Sequence, residues 1–295
     1  MLFPVAQIRV FPLVPLLAAL CISLFTSTGG VSGAVVLLPF QVSVLGFVSP
    51  AVTPTNHLFN VIAIPSGVYR YLREGRLVWP LTTVILLGTL PGVIAGSLLR
   101  LYLLPDPRHF KLFMAAVLLL VGSRLLSRAA RRRGAAELSA PGTFRVRTTR
   151  FDLRRLEYEF GGRVHGVSSP LLFLLTAVVG VIGGAYGVGG GAIIAPFLVS
   201  VFGLPVHTTA GATLSGTCLT SLLGVVVFAL AEPVLGAAGS APDWRLGLLF
   251  GAGGLVGMYL GARVQKRIPA RAIEALLGAI VTLLGLSYVA GYLGG

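Results

Sequence analysis

The residues in this chain best placed to do chemistry are mostly glycines and neutral polar groups, not acids, bases or thiols. Between Gly183 and Pro196 the sequence reads GGAYGVGGGAIIAP, with six glycines in nine residues, inside a run otherwise apolar from Leu171 to Phe202. Each glycine costs about 1 kcal/mol of helix propensity against alanine, so a helix entering this stretch breaks. In lipid the freed backbone groups cost more again unless they line a cavity or meet polar protein groups. A break also leaves amides unpaired at the N-terminus of the following arm, where the helix dipole is positive. That is chemistry for holding an anion, and Gly187, Gly189, Gly190 and Gly191 are its candidate backbone donors.

A second, degenerate break stands earlier in the chain, where Thr28, Gly29, Gly30, Ser32 and Gly33 occupy the corresponding place. The segments that follow each break supply hydroxyls and amides, which bind oxyanions without adding fixed charge. The first carries Thr53, Thr55, Asn56, His57 and Asn60; the second carries Thr208, Thr209, Thr213, Ser215, Thr217, Thr220 and Ser221. Asn56, His57, Thr213, Ser215 and Thr217 complete the candidate binding set, and His57 is the best intramembrane ionisable candidate. The competing reading is structural, because serines and threonines in membrane helices commonly bond their own backbone or a neighbouring helix. His207, just after Pro205, reads as interfacial.

Enzyme chemistry finds little to work with. The nine acidic residues fall in or near loops and segment ends, and no HExxH pair or serine with a general base is present, so no catalytic residue is assigned. Cys21 and Cys218 sit in apolar stretches and read as small buried hydrophobes, with no disulfide and no metal site expected. Gly187, Gly189 and Ala192 mimic a dinucleotide fingerprint but lack the preceding strand and the acidic partner, so no cofactor is expected.

The elements that must position these residues are membrane helices. Of 295 residues 55% are hydrophobic and 11% charged, and the mean hydropathy is +0.91, which excludes a water-soluble globule. At about 20 apolar residues per crossing, the chain has material for about eight membrane segments, an all-α polytopic fold. The apolar run after Arg9 reads as a retained segment, not a cleaved signal peptide.

The chain also repeats itself. At a separation of 157, Gly30, Val31, Gly33, Pro39, Phe40, Val42, Ser43, Val44 and Gly46 match Gly187, Val188, Gly190, Pro196, Phe197, Val199, Ser200, Val201 and Gly203. At a separation of 165, Trp79 pairs with Trp244, and Gly88, Gly92 and Gly96 pair with Gly253, Gly257 and Gly261. Those glycines, four apart, form ridges for close helix packing, and the tryptophans suit the headgroup interface.

Two homologous halves follow, residues 1–126 and 170–295, each of four segments with the first one broken. The segments are expected at 12–46, 50–69, 77–103 and 110–126, then at 170–203, 205–230, 244–264 and 271–292. If the broken segment crosses, the repeats are parallel; if it re-enters, they are inverted. The inverted arrangement gathers eighteen of the 23 cations on one side and is favoured by the positive-inside rule.

Between the halves lies a basic linker, residues 127–169. Eleven arginines fall between Arg124 and Arg163 against four acids. Such a linker is expected in the cytoplasm, with its alternating second part forming a short β-hairpin. Its charge suits topology and anionic headgroups, and no nucleic-acid partner is expected.

GGAYGVGGGAIIAPFLVSVFG, followed by AGATLSGTCLTSLLG from Ala210 to Gly224, resembles the signature of the sulfite exporter TauE/SafE family, also called the toluene-sulfonate uptake permeases. TGGVSGAVVLLPF, from Thr28 to Phe40, is its degenerate first copy. The resemblance covers the chain except for the linker. It implies a multi-pass plasma (inner) membrane transporter of small sulfur-containing or organic anions, such as sulfite or sulfonates, built from two related halves. An exporter acting by alternating access, with the anion held at the glycine breaks near the midplane, is therefore the leading expectation. The lipid bilayer and a small anionic substrate are the expected partners, with a homodimer left open. The alternative expectation is a membrane assembly or recruitment factor acting through the basic linker.

Overall fold

The computed structural model describes residues 1–28, 31–131, 146–264 and 270–294. Among them are ten helices. The first half holds α1 (Leu13–Thr28), α2 (Ala34–Ser43), α3 (Val52–Arg73), α4 (Trp79–Tyr102) and α5 (Pro107–Arg131). The second holds α6 (Ser169–Tyr186), α7 (Gly190–Ser200), α8 (Val206–Leu235), α9 (Trp244–Val264) and α10 (Ala270–Leu293). A short hairpin, β1 (Leu2–Phe3) and β2 (Ile8–Arg9), precedes α1, and β3 (Arg147–Phe151), β4 (Arg155–Phe160) and β5 (Arg163–Ser168) lie between the halves.

Five of these helices, α4, α5, α6, α8 and α10, are long and apolar enough to cross a membrane. Their outward faces carry Leu87, Ile94, Leu219, Val226 and Leu283, all exposed, as a lipid-facing surface requires. α2 and α7 have 10 and 11 residues. At 1.5 Å per residue neither reaches across a hydrocarbon core of about 30 Å.

The halves pack by exchanging partners. α1 lies along α9 and α6 lies along α4; α3 packs on α9 and on α8, and α8 packs on α4. α5 pairs with α10. The glycine ridges make the first two of these contacts. A Cβ at Gly92 would lie 2.5 Å from the Ala177 carbonyl of α6, and one at Gly257 2.3 Å from the Leu20 carbonyl of α1. Small residues let backbones approach this closely, which is what drives helix association where burial from water cannot.

The hydrogen bonds also sort the helix ends. The start of α6 is tied to the sheet by Ser169 N–H to the Arg154 carbonyl at 3.1 Å, and the start of α8 by Tyr158 and Thr208 hydroxyls 2.8 Å apart. Val146 N–H reaches the Gly75 carbonyl between α3 and α4 at 3.1 Å. At the opposite end, Asp243 before α9 accepts from Ala6 N–H in the β1–β2 turn at 3.1 Å, and its own N–H donates to Thr55 Oγ1 at the start of α3 at 2.9 Å. Thus α6 and α8 both begin at the sheet end, whereas α1 and α3 both begin at the other.

Two expectations need correction. The linker forms a three-stranded antiparallel sheet in the order β3–β4–β5, not a hairpin alone; Gly161 and Gly162, both at positive φ, turn the chain into the extra strand. Two carboxylates near segment starts are shielded from water. Glu274, inside α10, is buried and pairs with Arg128 of α5 at 2.8 Å, and Asp243 is buried as well. Cys21 is exposed on the outward face of α1, not buried, and Cys218 is half-buried. The sheet is pinned by Asp152, which accepts from Arg150 Nε and from the Arg154 and Arg155 amides. Those donors hold its carboxyl below the usual carboxylate range. Burial pushes the Tyr158 phenol up to about 12, partly opposed by its Thr208 bond.

Candidate functional site

The site is built on one stripe of α3. Thr53, Asn56, His57 and Asn60 stand at i, i+3, i+4 and i+7, which places them on a single helical face, and all four are fully buried. That face meets both helix breaks at once. Asn56 Nδ2 donates to the Ala34 carbonyl at the first break (3.0 Å) and to the Gly187 carbonyl at the second (3.1 Å). Its Oδ1 accepts from Gln41 Nε2 of α2 at 3.1 Å. Asn60 Nδ2 donates to the Val188 carbonyl and to Ser221 Oγ, both at 3.1 Å, while its Oδ1 accepts from Ser32 Oγ at 2.5 Å. Ser32 in turn accepts from the Ala34 amide at 3.2 Å.

His57 completes the bridge to α8 and α6. Its Nε2 lies 3.4 Å from the Gly184 carbonyl and its Nδ1 3.2 Å from Ser221 Oγ. A carbonyl only accepts, so Nε2 carries a proton. Because Ser221 already accepts from Asn60, its hydroxyl is free to donate to Nδ1, and the pattern fits the neutral ring. Gly224 makes the room, since a Cβ there would lie 2.7 Å from the imidazole. Thr53 ties the stripe to the end of α6 by donating to the Ala185 carbonyl at 3.3 Å, and Tyr186 Oη donates to the Val35 carbonyl of α2 at 3.0 Å.

The second break is shaped by two residues that only glycine suits. Gly187 (φ +87°) and Gly189 (φ +69°) end α6 and start α7 in the left-handed region that side chains avoid. Both are also crowded. A Cβ at Gly187 would sit 2.6 Å from the Thr53 carbonyl, and one at Gly189 2.9 Å from Ser221 Oγ and 3.0 Å from Thr220 Oγ1. At Gly190 it would meet Thr89 Cγ2 at 2.3 Å, and at Gly191 the Thr213 carbonyl at 2.0 Å. The break therefore faces hydroxyls and carbonyls of α3 and α8 and the Thr89 methyl of α4 across contacts that leave no space for a side chain. The amides of the first turn of α7 have no partner within the helix, as at any helix start.

The other candidates fall variously. Gly33 caps α2, and a Cβ there would stand 3.0 Å from Ser23 Oγ. Thr213 and Thr217 lie against Gly191, but their hydroxyls donate to the Thr209 and Thr213 carbonyls of their own helix at 3.0 and 2.8 Å. Ser215 donates to the Gly211 carbonyl of its own helix at 2.9 Å. Gly29, Gly30 and the Thr28 side chain lie outside the described residues.

Gln41, Asn60, Thr89 and Ser221 belong to the site although the candidate set omits them. The signal for Asn60 was its spacing from Asn56; for Ser221 it was the spacing of four from Thr217 along α8. Arg100 was missed as well. It stands in the last turns of α4, fully buried, with Nε donating to Thr53 Oγ1 at 3.2 Å.

Residues 15–288 match the family model described as Sulfite exporter TauE/SafE. "Probable membrane transporter protein YjnA" of Bacillus subtilis (strain 168) is 22% identical over 278 residues, covering 93% of this chain and 98% of that protein. "Probable membrane transporter protein YdhB" of the same organism is 28% identical over 113 residues. That likeness spans 38% of this chain and 43% of the relative. No solved structure matches.

Proposed function

The chain belongs to the sulfite exporter TauE/SafE family of membrane transporters, and on that premise we propose that it exports small sulfur-containing or organic anions such as sulfite or sulfonates. The anion is held between the two helix breaks, on the amides of the first turn of α7 and the polar stripe of α3. The observation that carries this reading is the stripe itself. Asn56, His57 and Asn60, buried in a mostly apolar helix, bond to backbone at the break in the second half, and the two asparagines also reach the first. Polar side chains inside a membrane protein are costly and mark substrate paths. Neutral donors and helix N-termini suit an oxyanion better than a cation.

The halves act as inverted repeats, each with a re-entrant broken segment. In support, α6 and α8 begin at the sheet end and α1 and α3 at the opposite end, so each broken pair returns to the face it left. In this arrangement the sheet is cytoplasmic, and the segment ends and connections assigned to its side carry eighteen of the 23 lysines and arginines. Alternating access then follows from rocking the α1–α9 and α4–α6 pairs about the α3–α8 contact.

Thermal unfolding of the detergent-purified protein tests the reading, with sulfite, methanesulfonate, acetate and phosphate as probes. A ligand that binds only the folded state raises its stability by mass action. The expected result is a rise in midpoint with sulfite or the sulfonate that Asn60→Ala removes. Folded protein that responds to none of the four overturns it.

A further inference from the structure

The fully buried cation of α4 lacks a countercharge. Arg100 is 0% exposed, and among the described residues no carboxylate pairs with it. Its Nε donates to Thr53 Oγ1 and its Nη1 to the Leu104 carbonyl, but Nη2 is buried without a partner. Ser97, one turn earlier on the same face, is also fully buried, and its hydroxyl too is unpartnered. Leaving a buried charge and a buried hydroxyl unsatisfied is expensive, and two such groups side by side call for a ligand that accepts from both.

We infer that Arg100 and Ser97 form a binding step for one small oxyanion, beside Thr53 in the first turn of α3. The proposal rests on the transporter reading above and adds to it a fixed positive charge, which the neutral stripe lacks. A sulfite or sulfonate group fits the chemistry. It offers several acceptor oxygens to Arg100 Nη2 and the Ser97 hydroxyl, and it supplies the missing countercharge. Thr53 joins the two regions, accepting from Arg100 at 3.2 Å and donating to the Ala185 carbonyl at the end of α6 at 3.3 Å.

A basic surface lies close by in the chain. Phe110, in the first turn of α5, covers the guanidinium with its ring centroid 3.8 Å from Cζ. Its neighbours Arg108, His109 and Lys111 line an open hollow of about 650 Å³ with Asp106, Ser287 and Tyr288, at the end of the molecule away from the sheet. Arg108 and Lys111 against one acid leave the hollow net positive, which concentrates anions there. The repeat places Gln265 at the sequence position equivalent to Arg100.

The test is sulfite affinity of the full-length protein, measured by thermal shift and by isothermal titration, for wild type, Arg100→Gln, Arg100→Lys and Ser97→Ala. Charge-assisted hydrogen bonds are worth more than neutral ones. Arg100→Gln is therefore expected to weaken sulfite binding about tenfold or more, Arg100→Lys less, and Ser97→Ala about threefold. Without sulfite, Arg100→Gln should unfold no earlier than wild type, because it removes an uncompensated charge. Should Arg100→Gln fail to fold, Arg100→Lys and Ser97→Ala decide. Wild-type affinity in all folded variants, while Asn60→Ala loses binding, overturns the Arg100 step and leaves the transporter reading standing. Absence of sulfite binding in folded wild type overturns both.

Discussion

Gly191 shows how little freedom the site allows. A Cβ there would stand 2.0 Å from the Thr213 carbonyl, a backbone atom that cannot swing aside. Gly191→Ala is expected to lower stability by about 1–3 kcal/mol, the usual cost of overpacking, read as an earlier thermal unfolding in detergent. Gly291, where a Cβ would meet nothing within 4 Å, serves as the control that should tolerate alanine. Ser221 tests the polar network instead of the packing. Ser221→Ala strips a partner from both His57 Nδ1 and Asn60 Nδ2. In membrane proteins such bonds are worth about 0.6–2 kcal/mol, so a small loss of stability with a large loss of sulfite affinity is expected. A large stability loss with unchanged affinity would mark the network as scaffold. Much of this scale was legible in the residues: glycine density located the break, and the i, i+3, i+4, i+7 spacing of Thr53, Asn56, His57 and Asn60 located the stripe. Arg100 was not legible, because at the end of an apolar segment a buried arginine and an interfacial one look alike. Only the fold of α5 over it separates them.

At the scale of elements, the glycine ridges decide which helices touch. Gly92 and Gly257 occupy matching places in α4 and α9, and a Cβ at either would meet a backbone carbonyl, of α6 at 2.5 Å and of α1 at 2.3 Å. Gly92→Ala and Gly257→Ala are expected to act alike, each forcing apart one of the two related pairs, with size-exclusion profiles and unfolding temperature as the readout. A severe effect at one and none at the other would contradict the equivalence of the pairs. The spacing of four announced close packing but not the partner: nothing in Gly88, Gly92 and Gly96 says that they meet α6 and not a neighbour in their own half. The sheet was likewise half legible. The alternation of Leu156, Tyr158 and Phe160 pointed to a strand, whereas β5, with Gly166 in its centre, lacks a clear apolar period.

For the whole molecule, the arrangement of helix ends makes a prediction about sides. Leu153 stands 92% exposed beside the sheet, and Ala238, in the connection from α8 to α9, is exposed at the opposite end. With Cys21 and Cys218 replaced by alanine, single cysteines at these positions should react with a membrane-impermeant maleimide from opposite faces of sealed vesicles. Labelling of both from one face would contradict the inverted reading. The repeat at separations of 157 and 165 made two halves legible, but whether a broken segment crosses or returns depends on tertiary contacts such as Tyr158 with Thr208, which no local pattern encodes.

The central claim, that the α3 stripe between the two breaks handles the anion, is met most directly by counterflow of radiolabelled sulfite into proteoliposomes preloaded with unlabelled sulfite. Wild-type protein should exchange sulfite, Asn60→Ala should lose nearly all exchange while remaining folded, and deletion of residues 132–145 from the linker should retain it. Exchange by Asn60→Ala at the wild-type rate, or no exchange by folded wild type, would contradict the account.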